Sequence, residues 1–146
     1  SDLVQDVFQK FELAAEARRQ RLVPDIADDL LVVSADFAMI ERVMTNLLDN
    51  AIRHTPAGGQ IEVRLRRDRD EVIVQVSDSG PGIPEALQKN LFARPSFQAG
   101  ERVGAGGLGL VIVRRILQLH DSDIRLLRQA DRGAVFQFHL NTAPVR

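Results

Sequence analysis

Hydrophobic side chains recur at helical spacing in several stretches of the chain. Near the start, Leu3, Val7 and Phe11 lie four residues apart with charged residues between them, which is the pattern of a helix with one buried face. Proline and glycine mark where such stretches end. We predict helices over residues 2–21, from a cap at Ser34 or Asp36 to about His54, over Pro84–Leu91 and over Leu108–His120.

Other segments alternate apolar and polar residues, as half-buried strands do. Ile61–Leu65 and Val72–Val76 predict a hairpin around the turn Arg67–Asp70, and Thr55–Gly59 separates it from the preceding helix. Further strands are predicted at Arg21–Val23, Leu30–Val33, Ile124–Leu127 and Ala134–Leu140. Because strands come in pairs between helices, we expect an α+β two-layer sandwich, a mixed sheet of about five strands covered on one face by about three helices.

Composition narrows the class of protein. The 146 residues, 45% hydrophobic and 27% charged, suit one globular domain, which we assign to residues 1–146. The net charge of −1 gives no general attraction for nucleic acid, and the lack of cysteine excludes disulfides and thiolate metal sites. No apolar run approaches the roughly 20 residues of a membrane span. Since Ser1 is not an initiator methionine, we expect the chain to belong to a longer protein.

Two asparagines stand on the predicted second helix. Asn46 and Asn50 are four residues apart and therefore share one face. Asparagine is a mediocre helix former, because its amide competes with the backbone for hydrogen bonds. The pair is either a plain solvated face or a source of neutral carbonyl oxygens for a Mg²⁺ ion already neutralised by phosphates.

Two glycine-containing segments follow. Asp78–Ile83 comes directly after a strand, and it is either a plain turn or a place where a carboxylate accepts the amine of adenine while glycine backbone passes close to the ring. Gly104–Leu110 leads into a helix, whose N-terminal N–H groups suit phosphate. This segment also fits the G-x-G-x-x-G dinucleotide pattern, with Asp131 near the ribose-carboxylate distance, but Arg94–Val103 does not supply the strand that pattern needs.

The three segments resemble those of a known family. Asn46–His54 resembles the N box of histidine kinases, Asp78–Ile83 their G1 box and Gly104–Val113 their G2 box, in the same order. The resemblance implies the GHKL fold, with ATP bound under a mobile lid that would correspond to residues 92–107. Two features depart from the family pattern: Phe92 and Phe97 are five residues apart rather than three, and no glycine pair follows His120.

Carried over by position, the resemblance implies a set of nucleotide-binding residues. Asn50 would coordinate Mg²⁺, Asn46 and Arg53 would stand beside the phosphates, and Asp78 would read adenine. His54 occupies the place of an aromatic residue beside the nucleotide, and either Arg94 or Arg102 would reach phosphate from the lid. The expected ATP contacts are Asn46, Asn50, Arg53, His54, Asp78, Gly80, Gly82, Ile83, Gly104, Gly106, Gly107, Leu108 and Gly109.

The asparagine at position 46 bears on the reaction. ATP-hydrolysing members of the GHKL group carry a glutamate four residues before the Mg²⁺ asparagine, where it activates water. Here an amide without useful basicity occupies that position. The resemblance therefore implies a protein-histidine kinase domain that binds ATP and Mg²⁺ and transfers the γ-phosphoryl group to a histidine elsewhere.

The expected partners lie outside this chain. They are the histidine-bearing dimerisation domain of the same protein and a response regulator; we expect the isolated domain to be monomeric, unable to phosphorylate itself and cytoplasmic. The parent would be a homodimer and is a candidate inner-membrane sensor. Two alternatives stay open: a degenerate GHKL module that binds nucleotide or protein without phosphotransfer, and an anti-sigma-type serine kinase.

Overall fold

The described part of the chain alternates helices with pairs of strands. A computed structural model of the protein describes residues 2–28, 37–80, 107–127 and 133–141. In chain order the elements are α1 (Asp2–Ala17), β1 (Arg21–Ile26), α2 (Phe37–His54), β2 (Gln60–Asp68), β3 (Glu71–Asp78), α3 (Gly107–Leu119), β4 (Arg125–Leu127) and β5 (Val135–Asn141).

The five strands form one mixed sheet. Their spatial order is β1-β2-β3-β5-β4, with β1 parallel to β2 and the other neighbours antiparallel. The register pairs Val63 with Val76 and Val74 with Phe138, so that large apolar side chains gather on one face. In β2 and β3 this alternation of inward and outward residues confirms the sequence prediction.

The three helices cover that apolar face. The most deeply buried helix is α2, in which Val43, Leu47 and Leu48 are inaccessible to solvent. Flanking it, α1 adds Val7, Phe11 and Ala15, and α3 adds Leu110, Val113, Ile116 and Leu117 to the same core. The opposite face of the sheet carries polar pairs such as Gln75 with Gln137 (2.6 Å). The predicted two-layer sandwich is confirmed, and the dinucleotide alternative, which requires a parallel sheet, is wrong.

The first helix ends earlier than predicted. It stops at Ala17 rather than residue 21, because Arg19 adopts a left-handed conformation (φ 57°). The Gln20 N–H then donates to the Ala15 carbonyl, and the Arg19 N–H donates to the Glu16 carbonyl, each at 2.9 Å. This pair of hydrogen bonds is the Schellman motif of a helix C-terminus. The chain continues into β1, which includes Pro24. Proline is tolerated there because β1 is an edge strand of the described sheet.

Several predicted segments lie outside the described residues. They are the strand Leu30–Val33, the caps Ser34 and Asp36, the helix Pro84–Leu91, most of the expected lid over 92–107, and the carboxylate Asp131. Among the residues that are described, no helix is both long and apolar enough to cross a membrane.

Candidate functional site

Asp78 is a buried carboxylate at the end of β3. It is 7% exposed to solvent. Its backbone N–H donates to the Ala134 carbonyl (3.0 Å), and its own carbonyl accepts the Gly133 N–H (3.1 Å) at the start of β5. The Gly80 N–H donates to the carboxylate oxygen Oδ1 at 2.8 Å. Backbone bonds therefore fix both the main chain and the side chain of Asp78.

The surroundings of Asp78 perturb its ionisation. Burial raises the pKa of the Asp78 carboxyl above its ordinary value, against the opposing effects of backbone hydrogen bonds from Gly80 and Ala134 and of the nearby His54. A carboxylate that is costly to keep charged is stabilised by any further hydrogen-bond donor. Such perturbed groups in partly buried positions are common at functional sites.

Two glycines allow the chain to approach Asp78 closely. A Cβ on Gly80 would stand 2.5 Å from the backbone oxygen of His54, the last residue of α2. One on Gly133 would overlap Oδ1 of Asp78 and lie 2.6 Å from the Gly80 oxygen. The end of β3, the start of β5 and the end of α2 therefore meet at one point that admits no side chain at positions 80 and 133.

A second group lies farther back along α2. The Asn46 Nδ2 donates to the Gly109 carbonyl, in the first turn of α3, at 3.3 Å. The N–H groups of a helical first turn lack partners within the helix and attract anions. From Asn46 to His54 is eight residues, or about 12 Å at about 1.5 Å per residue. This distance between the carboxylate end and the helix-terminus end would suit a nucleotide with its nucleobase at the first end and its phosphates at the second.

Asn50 and Arg53 lie between these two ends. Asn50 is 5% exposed, although asparagine is usually a surface residue. The Arg53 Nη2 makes a 3.4 Å ion pair with Asp49, while its Nε is buried without a hydrogen-bond partner. The Arg53 side chain is 26% exposed, so part of the guanidinium can be reached from solvent.

The donors present fit a metal that arrives with phosphate. Among the described residues there is no cluster of three or more histidine and carboxylate groups able to hold an ion alone. Asn50 offers one neutral oxygen, and Mg²⁺ commonly takes few protein ligands and completes its shell with phosphate and water. Asn50 could therefore supply one oxygen to a Mg²⁺ ion that arrives with a nucleotide.

Comparison with known proteins identifies the family. Residues 35–144 match the family described as histidine kinase-, DNA gyrase B- and HSP90-like ATPases, and the chain belongs to it. It is 42% identical over 135 residues to the alginate biosynthesis sensor protein KinB of Pseudomonas aeruginosa, covering 92% of this chain and 22% of KinB. It is 37% identical over 142 residues to the adaptive-response sensory kinase SasA of Synechocystis sp. (strain ATCC 27184 / PCC 6803 / Kazusa), covering 96% of this chain and 37% of SasA.

Solved structures narrow the class further. The nucleotide-free catalytic domain of histidine kinase ThkA superposes with a TM-score of 0.85 at 30% identity, covering 98% of this chain and 94% of that one. ThkA in complex with response regulator protein TrrA gives 0.78 at 26% identity, covering 97% and 40%. Within its family the chain is thus a catalytic domain of the sensor histidine kinase type, and it spans well under half of the two sensor kinases above.

The structure brings together only some of the expected site residues. Asp78, Gly80 and His54 meet at one end, and Asn46 and Gly109 meet at the other. Gly107 and Leu108 begin α3, which starts one residue before the predicted position. Gly82, Ile83, Gly104, Gly106, Arg94 and Arg102 lie outside the described residues.

The sequence analysis did not include Gly133 among the expected site residues. The strand pairing found in the structure explains its place: Ser77 faces Val135 across the antiparallel β3–β5 pair. The residue following Ser77 must therefore lie beside the residues preceding Val135. A glycine directly before a strand that borders a functional carboxylate indicates close approach.

Proposed function

We propose that the chain binds Mg-ATP and presents its γ-phosphoryl group for transfer to a histidine on a separate dimerisation domain. Asp78 accepts a hydrogen bond from the adenine amine, and Asn50 supplies one oxygen to Mg²⁺. Asn46, Arg53 and the first turn of α3 face the phosphates. Membership of an ATPase family and likeness to sensor kinases support the assignment.

The amide of Asn46 favours phosphoryl transfer to an acceptor over hydrolysis of ATP. Its amide donates to the Gly109 carbonyl, so it stands against α3, one turn of α2 from Asn50. An amide cannot take a proton from water, whereas a carboxylate at that place could. The nearest acid on α2, Asp49, has a side chain that is 58% exposed and is paired with Arg53. These observations favour an enzyme that holds ATP for an external acceptor.

The chemistry supplied by this chain is positioning and charge stabilisation. Phosphoryl transfer needs the acceptor, the phosphorus and the leaving oxygen nearly in line, with negative charge neutralised around them. Mg²⁺, when bound with ATP, would neutralise phosphate charge. The protein contributes helix N–H groups, the partly exposed Arg53 guanidinium and the Asn46 amide, which are held by a buried frame.

The partners proposed for this chain follow from its relatives. The chain matches a domain-sized part of KinB and SasA, so we infer that the dimerisation domain lies elsewhere in the same protein. ThkA has been crystallised with the response regulator TrrA, and we propose a response regulator as the downstream acceptor here.

Transfer in trans tests the function. The purified chain should bind ATP more tightly with Mg²⁺ than without, and should label the added dimerisation domain of its parent protein with γ-phosphate. The label should be lost in acid and kept in base, as phosphohistidine is. An acid-stable label would identify a serine kinase instead. ATP binding without any transfer would identify a degenerate module.

A further inference from the structure

Gln20 is a buried polar residue that the proposed site does not include. It is 6% exposed. Its Nε2 donates to the carbonyls of Ile52 (2.8 Å) and Thr55 (2.5 Å), while its Oε1 is buried without a hydrogen-bond partner. A buried amide that is only half satisfied destabilises the fold relative to an apolar side chain of the same shape. Its presence points to a task for the two N–H donors.

Those donors serve the end of α2. The last four carbonyls of a helix have no partner within the helix. The Ala51 carbonyl accepts the Thr55 N–H (3.0 Å) and hydroxyl (2.7 Å), and the next carbonyl, that of Ile52, accepts Gln20. Arg18, from the same turn as Gln20, reaches the Arg53 carbonyl at 3.5 Å. The α1–β1 turn thus holds the last turn of α2 from outside.

The same last turn of α2 also borders the carboxylate end of the site. The His54 carbonyl is packed so closely against Gly80 that no Cβ fits between them. Gly80 in turn donates its N–H to the Asp78 carboxylate. The Gln20 amide thus contacts the end of α2, the end of α2 contacts Gly80, and Gly80 contacts Asp78. Each of these three contacts involves at least one backbone atom.

We propose that Gln20 is a positioning residue that holds the end of α2 against Gly80 and so sets the alignment of the Asp78 carboxylate with the exocyclic amine of adenine. Without its two hydrogen bonds, the last turn of α2 can shift away from Gly80. The geometry at Asp78 then loosens, although Asp78 itself is unchanged. The inference rests on the proposed function, since it concerns how the same pocket selects its base.

Base discrimination tests the proposal. ATP is compared with purine riboside triphosphate, which lacks only the exocyclic amine, by calorimetry with Mg²⁺ on the wild-type chain and on Gln20→Met. Methionine has a similar shape without N–H groups. The preference for ATP should fall by roughly three- to tenfold, the effect of one weakened hydrogen bond. The control is Gln75→Met, which removes an amide bonded to Gln137 on the other sheet face; its preference should match wild type.

The ratio separates positioning from simple stabilisation. A variant that is only less folded binds both nucleotides less, and its preference for ATP stays unchanged; that result would overturn the proposal. Should Gln20→Met not fold, Gln20→Asn keeps the amide but withdraws it from the two carbonyls by one methylene group, and its preference for ATP should fall in the same direction; an unchanged preference there would also contradict the proposal. If the wild-type chain fails to bind ATP, the proposed function itself is wrong, whereas ATP binding with an unchanged ratio in Gln20→Met rejects the positioning role alone.

Discussion

The carbonyl oxygen of His54 occupies the space that a side chain on Gly80 would need, at 2.5 Å from a Cβ built there. The contact joins the end of α2 to the segment after β3, and so links the helix that carries Asn46 and Asn50 to the strand that ends in Asp78. Backbone atoms form the His54 side of the contact, so that side cannot be relieved by a rotamer change.

Gly80→Ala should therefore destabilise the protein by about 1–3 kcal/mol, the usual cost of overpacking. Gly109→Ala is the matched comparison, because a Cβ there would lie 3.8 Å from the nearest Asn46 atoms, an ordinary contact. As a glycine within α3, it should gain about 0.5–1 kcal/mol on substitution by alanine. Urea denaturation measures both, and equal stabilities for the two variants would contradict the close approach at Gly80.

The same Gly109→Ala variant should bind ATP less tightly than wild type. Its methyl group would cover the Asn46 amide at the phosphate end of the site, while the fold becomes more stable. Calorimetry with Mg-ATP checks this, and a variant that is both more stable and equally tight in binding would show that phosphate does not approach here.

Periodicity predicted the helices and strands well where burial decides them. Val7, Val63 and Val74 all fell on the faces that the structure buries. It failed at the end of α1, since nothing in the local pattern shows that an arginine, rather than glycine, takes the left-handed position. A helix end of this kind is set by the turn that follows and by the strand β1 beyond it.

The site was predictable only to the extent that it is local. Asn46 and Asn50 share a helix face, and Asp78 and Gly80 share one turn, so spacing alone could group them. Gln20 and Gly133 join through contacts between residues far apart in sequence. Such contacts depend on strand order and register, which single-sequence patterns do not fix.

The Asp78 carboxylate should control the pH dependence of nucleotide binding. In the proposed function its ionised form accepts the adenine amine, and burial raises its pKa above 3.8. ATP affinity should consequently fall as pH is lowered through that raised pKa. Asp78→Asn should bind ATP roughly ten- to a hundredfold more weakly at neutral pH, the effect of losing a hydrogen bond to a charged group, and should lack the acid step. A step unchanged in the variant would assign it to another group.

Stability should respond to Asp78 in the opposite sense. A carboxyl whose pKa is raised by folding contributes stability at a pH below its unfolded pKa, and this contribution is lost as pH rises through the folded pKa. Asp78→Asn, which is neutral throughout, should therefore be at least as stable as wild type near neutral pH. The advantage should shrink on acidification. Thermal unfolding across pH measures it, and a large loss of stability in the variant at neutral pH would contradict the desolvation argument.

Asn50→Asp tests the metal assignment. The substitution keeps the shape of the side chain but adds a buried negative charge, which repels phosphate and misplaces the metal. Affinity for ATP in the presence of Mg²⁺ should fall by roughly tenfold or more. Asn141→Asp, at the exposed end of β5, makes the same chemical change away from the site and should bind as wild type does. Equal affinity in both variants would remove Asn50 from the metal site.

Arg19→Gly tests the end of α1. The left-handed conformation costs a non-glycine residue about 1–2 kcal/mol, and glycine loses about 0.5–1 kcal/mol of that gain through its freedom when unfolded. A net stabilisation of up to about 1.5 kcal/mol is expected by urea denaturation. Glu16→Gly, inside α1, should instead destabilise by about 1 kcal/mol. If both substitutions destabilise alike, the helix does not end as described.

The proposed role of Asn46 predicts the reaction of the isolated chain. The wild-type chain should bind Mg-ATP yet hydrolyse it very slowly and not label itself, because the described residues place neither a water-activating carboxylate nor an acceptor histidine at the phosphate end. Adding the dimerisation domain as a separate polypeptide should allow transfer, at a rate below that of the intact protein, where tethering raises the effective concentration.

Asn46→Glu places a carboxylate where ATP-hydrolysing relatives carry one, yet little hydrolysis should be gained. A base also needs a water held in line with the phosphorus, and the substitution removes the Asn46 bond to the Gly109 carbonyl, which locates this residue against α3. Phosphate release measured for both forms checks the expectation. Rapid turnover by the unsubstituted chain, lost in Asn50→Asp, would identify an ATPase and refute the kinase assignment.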